Sequence, residues 1–229
     1  MSFYNFAKAV VWLPWHLLFP TKVIGLEHFP KTGRAIGVCN HFAYKDPVQV
    51  GEYLPRRVRF LAKKQLFEHK GLGPLLRTLG GIPIDREHVG LSTLKEVLAV
   101  LKAEEFLMIF PEGTRNKSPD EALMTLKGGM AFFAVTGRAP IVPVMMYGRP
   151  RPFRKNYLLV GEPIPMDEYF GKKLTEQEYA AIDQMVFDRM KALYDLVPEK
   201  ARKKYAAYLE RRKKKAARLA AKAGKKEAP

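Results

Sequence analysis

The sequence predicts an α/β protein. It reads as a single domain with a largely parallel mixed sheet flanked by helices, an N-terminal interfacial segment over residues 1–20, and a basic C-terminal helical tail over 198–229. Three observations carry this reading. Between residues 21 and 197, short runs rich in Val, Ile and Phe alternate with stretches of helical periodicity, a pattern that favours parallel strands with helices on both faces. The chain is 229 residues long, 47% hydrophobic and 28% charged, which suits one sizeable core rather than two. The charge is lopsided: of the net +17, about +11 falls in residues 200–229, where thirteen Lys or Arg face two Glu.

Taken in order, residues 1–20 hold two Trp, three Phe and a Tyr with few charges, which fits a segment lying at the headgroup level of a bilayer. A helix packed on the domain's own core has the same periodicity. The apolar stretch 9–19 contains Pro14, expected to break it, and His16, and it falls short of the ~20 residues that span a membrane. Strands are expected at 22–25, 35–39, 58–62, 81–84, 106–110, 141–147 and 157–160. Leu91, Leu94, Leu98 and Leu101 recur at three and four, predicting a helix over 91–103. A second helix is expected over 127–136, ended by Gly137. A third covers 176–196, where Thr175 with Glu178 forms a capping box and Pro198 stops the run. Residues 221–229 read as disordered.

Composition narrows the function classes. The one cysteine, Cys39, cannot form an intramolecular disulfide or a cysteine-based zinc site, and no secretory cleavage pattern is present, so a reducing cytosolic setting is expected. The basic charge implies a polyanionic partner: nucleic acid, an anionic membrane surface or a phosphate-bearing ligand. A solvated basic helix is the plainer alternative for the tail. A nucleic-acid reading would use the tail and Arg56, Arg57 and Arg59, but no helix-turn-helix, zinc finger or stacking motif accompanies them.

Four stretches could carry chemistry. In "NHFAYKDP", residues 40–47, His41 follows a strand and Asp46 precedes Pro47. The proline disfavours helical geometry at Asp46 and suits a helix start, so Asp46 is expected to cap a helix beginning at Pro47. The loop 40–45 could then fold His41 back onto Asp46, one carboxylate oxygen capping the helix and the other fixing the imidazole tautomer. Two ordinary turn residues would fit the same spacing. In "FPEGTR", residues 110–115, a strand runs into Glu112, Gly113, Thr114 and Arg115. Gly113 permits a sharp turn, and Arg115 offers a bidentate fork for phosphate. "GIPIDR", residues 81–86, ends in Arg86, and Lys127 with Gly128 and Gly129 opens a helix whose amides could hold an anion. In "IVPV", residues 141–144, Pro143 interrupts an apolar strand and suggests an edge or a bulge.

The order and separation of these four stretches resemble the four motifs of the glycerolipid acyltransferase family, typified by the 1-acylglycerol-3-phosphate acyltransferases. The likeness covers roughly residues 25–165. It implies the glycerolipid acyltransferase fold and transfer of an acyl chain from a thioester to the free hydroxyl of 1-acylglycerol 3-phosphate, giving phosphatidic acid. His41 would be the general base and Asp46 its support. Arg86 and Arg115 would bind the acceptor phosphate, with Lys127 assisting. Glu112, Gly113 and Thr114 would shape that pocket, and Pro143 would lie near the acyl chain. The family commonly has a serine where this chain has Ala43. No cofactor or metal is implied; acyl-CoA or acyl-carrier protein would be the co-substrate. Partners would be a lysophospholipid and an anionic membrane, with the enzyme peripheral or monotopic on the cytoplasmic face of the cell membrane. Another lysophospholipid, glycerol 3-phosphate or an amine-bearing lipid as acceptor remains open.

Overall fold

The computed structural model describes residues 3–85, 90–117, 123–126 and 128–224. Helix α1 (Phe3–Leu18) leads into strand β1 (Thr21–Ile24). There follow β2 (Ala35–Cys39), α2 (Asp46–Tyr53), β3 (Val58–Lys63), α3 (Leu72–Thr78), β4 (Gly81–Ile84), α4 (Leu91–Lys102) and β5 (Phe106–Ile109). The chain closes with α5 (Met130–Thr136), β6 (Ile141–Met146), β7 (Asn156–Val160), α6 (Glu176–Ala192) and α7 (Glu199–Gly224).

All seven strands join one sheet in the order β1-β7-β6-β2-β5-β3-β4. Only the β6–β7 pairing is antiparallel; the other pairings are parallel. From β2 the chain passes through α2 to β3, beyond β5. From β5 it passes through α5 to β6, on the far side of β2. The connections therefore diverge between β2 and β5, and such a switch point opens a crevice at the carboxyl ends of the strands.

Strand alternation sorts the core into two layers. Ala35, Cys39, Phe106, Met108, Val142 and Val144 pack on one face with Val50 of α2 and Leu54 just past its end. Ile36, Val38, Leu107, Ile109 and Ile141 pack on the other against α4, α5 and α6. In α4 the sheet selects Thr93, Val97, Val100 and Leu101 as the buried face, while Leu91 is left exposed. The expected leucine stripe and this one share the three-four spacing, and the side closest to the sheet wins. Helix α3 has no counterpart among the expected elements; it is one short helix of seven residues opened by Gly71.

Pro143 lies in an interior strand, contrary to an edge placement. Its carbonyl accepts from Gly161 N–H at 2.8 Å, just past the end of β7. The antiparallel register slips by one residue between the Val144–Val160 pair and the Ile141–Ile164 bridge, so the missing N–H falls inside that irregularity. Pro14 likewise fails to break its helix. Tyr4, Lys8 and Trp15, on both sides of the proline, bond to the domain: Tyr4 Oη accepts from Val58 N–H at 3.3 Å, Lys8 Nζ donates to Gly51 O and Leu54 O at 2.8 Å, and Trp15 Nε1 donates to Gln49 Oε1 at 3.1 Å. These anchors outweigh the local cost of an interior proline.

The third helix is capped as its sequence dictates, with Thr175 and Glu178 bonded reciprocally, and a 3-10 turn, Leu193–Leu196, completes it. The tail is helical through Gly224, including residues 221–224 that read as disordered, while 225–229 lie outside the described residues. Its first turns are docked rather than free. Ala201 packs against a cluster with Met145, Leu159 and Leu193, and Tyr205 covers Gly148 (φ +77°), where a Cβ would collide with the phenol ring.

Gly37, in β2, is crossed by Phe106 and Met108 of the neighbouring strand, and a Cβ there would run into the Phe106 ring and lie 2.7 Å from Met108 Cε. Gly37→Ala should therefore cost about 1–3 kcal/mol through overpacking, read as a lower urea midpoint with an unchanged slope.

Candidate active site

The loop after β2 brings His41 back to Asp46 as expected, but the helix begins at Asp46 rather than at Pro47. Asp46 is the first residue of α2 and Lys45 the cap, so Asp46 does not cap the helix with its side chain. Instead one oxygen, Oδ2, accepts three bonds: from His41 Nδ1 at 2.9 Å and from the N–H groups of Phe42 and Ala43 at 2.6 Å each. A carboxylate drawn back over its own loop can gather these donors because Asp46 N donates to Ala43 O at 3.1 Å and closes the turn. Ala43 contributes its backbone here, so the turn forms without the serine hydroxyl that the family commonly places at this position. Asp46 is fully buried and His41 nearly so. With Nδ1 engaged, Nε2 makes no hydrogen bond among the described residues, and the imidazole stacks on Phe110 with centroids 4.5 Å apart.

Neighbouring loops hold this turn from two sides. Asn40, fully buried, donates from Nδ2 to Met146 O at 2.9 Å and accepts at Oδ1 from Met146 N–H at 2.8 Å, tying the carboxyl ends of β2 and β6. Asn116 N–H donates to His41 O at 2.6 Å, tying the same loop to the one after β5. Asn40 opens the sequence stretch quoted above, but its bonding to Met146, 106 residues away, and the backbone bond from Asn116 are not legible there. Cys39 lies beneath, its thiol pushed well up by burial and then by the Asp46 carboxylate.

The second predicted stretch reaches the same edge. Gly113 has φ +62° and its N–H donates to Phe110 O at 3.1 Å, making the sharp turn that only a residue free of Cβ strain adopts readily. Glu112 is buried, Thr114 exposed, and Arg115 half-buried with its guanidinium carbon 3.7 Å over the Tyr44 ring. Phe110, Gly113, Leu61, Ile84, Ile109 and Phe133 line an apolar cavity of about 100 Å³ that is one aromatic ring away from His41.

Other expected residues stand apart. Pro143 is buried beside Gly161 and Leu193 and does not line that cavity. Arg86 and Lys127 lie outside the described residues. Helix α5 starts at Met130 rather than at 127, because Gly129 with φ +113° cannot belong to a right-handed helix. Its Ala131 N–H is already taken by the Asp183 carboxylate of α6, whose burial pushes that carboxyl up to about 6 while the bond opposes the shift. The anion at this helix start is thus supplied by the protein itself. Lys45, packed 4.1 Å over the Phe19 ring, is lowered by burial, with Asp46 opposing and Arg149 adding to the shift.

Arg56, Arg57 and Arg59, the patch available to a nucleic-acid reading, lie at the other end of the sheet. Arg56 donates to Gly33 O and Glu104 O, Arg59 pairs with Glu105 at 2.7 Å, and Arg57 stacks over Tyr4. Among the described residues no group of His, Cys, Asp and Glu could hold a metal ion, and no helix is long and apolar enough to cross a membrane.

The structure thus places a carboxylate-held histidine at the switch point of a mixed α/β sheet with a Glu-Gly-Thr-Arg turn alongside, and the comparisons identify the class as an O-acyltransferase. The acyltransferase family model matches residues 20–147, and the chain belongs to that family. It is 32% identical over 178 residues to the 1-acyl-sn-glycerol-3-phosphate acyltransferase of Bacillus subtilis, covering 75% of this chain and 87% of that one. It is 35% identical over 193 residues to the coconut (Cocos nucifera) enzyme of the same name, covering 82% and 61%. The crystal structure of the Thermotoga maritima LPA acyltransferase, PlsC, superimposes with a TM-score of 0.61 at 26% identity, over 85% of this chain and 76% of that one.

Asn40→Ala should leave Met146 N–H buried without its Asn40 partner, while Met146 C=O keeps the bond from Gly148 N–H at 2.9 Å, and destabilise the fold by about 1–3 kcal/mol. Chemical denaturation measures the loss.

Proposed function

We propose that this protein transfers an acyl chain from an acyl thioester to the free hydroxyl of 1-acylglycerol 3-phosphate, giving phosphatidic acid. The observation that carries the mechanism is the Asp46–His41 bond, which commits Nδ1 and leaves Nε2 as the site for a proton. The acceptor hydroxyl gives its proton to Nε2 as its oxygen attacks the thioester carbonyl. The tetrahedral intermediate collapses with loss of the thiolate, which takes the proton back from the imidazolium. Asp46 stabilises that transient cation and holds the ring in place. No acyl-enzyme is required, since the substrate oxygen is itself the nucleophile.

Binding follows from the neighbouring loops. Arg115 takes the acceptor phosphate, with Arg86 and Lys127 joining it, while Glu112, Gly113 and Thr114 shape the turn that presents it. The apolar cavity behind Phe110 suits the start of an acyl chain. The thioester donor is acyl-CoA or acyl-carrier protein.

The ends of the chain fit a lipid surface. Helix α1 docks with its polar groups and leaves Phe3, Phe6, Val10, Leu13 and Leu17 exposed, a stripe spaced at three and four. Exposed Phe153 adjoins it, its N–H bonded to Leu18 O at 2.7 Å. The reversal of the usual pattern, polar groups inward and apolar outward, is what supports insertion at an interface. Basic residues of α7 add on the order of 1 kcal/mol each toward anionic lipid. Together these would hold the enzyme on the cytoplasmic face of the cell membrane.

His41→Ala should lower acyl transfer by roughly a thousandfold, with the fold retained but the melting temperature reduced by loss of the buried bond to Asp46; near-normal turnover would overturn the mechanism. For the membrane contact, Leu13→Asp with Leu17→Asp should reduce co-sedimentation with vesicles at every salt concentration. A chain ending at Glu210, which keeps the docked Tyr205, should lose binding to anionic vesicles specifically at low salt.

A further inference from the structure

Tyr44 has no role in the mechanism so far, yet it is 73% exposed with a cation on its face. An aromatic ring left in water buries little of its own surface, so packing does not account for it. What it covers is Arg115, whose guanidinium carbon lies 3.7 Å from the ring centroid. No carboxylate among the described residues forms a salt bridge with Arg115. A guanidinium backed by a ring on one face presents its edge, and the edge carries the N–H fork that matches phosphate oxygens.

We propose that Tyr44 is a positioning residue for the acceptor: its ring holds the Arg115 fork and sets the span between that fork and His41. The proposal rests on the phosphate role given to Arg115 above. His41 and Tyr44, the ring that backs the fork, belong to one turn, because Asp46 Oδ2 gathers His41 Nδ1 and the N–H groups of Phe42 and Ala43 immediately before Tyr44. The partner loop is fixed next to Arg115 by the 2.6 Å bond from Asn116 N–H to His41 O. The phosphate cation and the proton-accepting ring are thus set in one small frame, and the ligand it fits is a phosphate monoester with a hydroxyl a short carbon chain away.

Steady-state kinetics of Tyr44→Ala, Tyr44→Phe, Arg115→Ala and the Tyr44→Ala/Arg115→Ala double variant, with 1-acylglycerol 3-phosphate and an acyl thioester each varied in turn, test this. Tyr44→Ala should raise the acceptor KM roughly fivefold, in line with an exposed to half-buried cation–π contact, with kcat and the donor KM unchanged. Tyr44→Phe should match the parent, since the ring does the work, and Tyr44→Ala should add nothing in the Arg115→Ala background. An unchanged acceptor KM in Tyr44→Ala beside a raised one in Arg115→Ala overturns the Tyr44 proposal alone. An unchanged acceptor KM in Arg115→Ala overturns the phosphate reading and this proposal with it. Equal effects on both substrates, or no rescue by Phe, make Tyr44 a general structural residue and overturn the proposal.

Discussion

The arrangement at the carboxyl edge of the sheet depends on one oxygen atom. Asp46 Oδ2 accepts two backbone N–H groups and the His41 imidazole, so a buried carboxylate organises the turn and orients the ring in one act. Burial of a charge is costly unless it is well hydrogen-bonded; three donors satisfy Oδ2, while Oδ1 is buried without a hydrogen-bond partner among the described residues. The bonds to the backbone fix where the loop goes; the bond to Nδ1 fixes which nitrogen remains. A residue that stabilised the loop without touching His41 would leave the tautomer undefined.

Around that turn, the sheet topology supplies the frame. The divergence of the chain between β2 and β5 places the loops after these strands side by side, and backbone bonds from Asn116 and side-chain bonds from Asn40 lock them to each other and to β6. Gly37 lets Phe106 and Met108 cross β2 closely enough for the strands to keep this register. The docking of α7 reaches the same edge, since Tyr205 sits on Gly148, two residues beyond β6.

Helix α1 shows how a helix can serve two surfaces. Its hydrogen-bonding residues, Tyr4, Lys8 and Trp15, face the domain, and its apolar stripe faces out. Packing on the domain and apolar exposure, which are alternatives when only periodicity is known, are here opposite sides of one helix. The helix ends at the loop that leads to Phe19, whose ring carries Lys45 of the turn that holds His41, so the apolar stripe and the candidate site are neighbours.

Strand positions were legible to within a residue or so because buried parallel strands are compact runs of Val, Ile and Phe, and Thr175 marked its helix by local bonding alone. The proline after Asp46 likewise revealed the turn that brings His41 back, since its constraint on the preceding residue is local. Other features were set by tertiary contacts. Pro143 sits inside the sheet because a register slip absorbs its missing N–H, Pro14 inside a helix because bonds on either side clamp it, and the buried face of α4 takes Leu101 with Thr93, Val97 and Val100 while leaving Leu91 exposed. Asp46 caps no helix because three donors outbid one. The sequence by itself determined the layered α/β class and the residue types at the site, through periodicity and backbone restriction. Only the tertiary structure decided which carboxylate oxygen holds His41, which asparagines lock the loops and which ring backs Arg115, because those partners are distant in sequence or depend on side-chain direction.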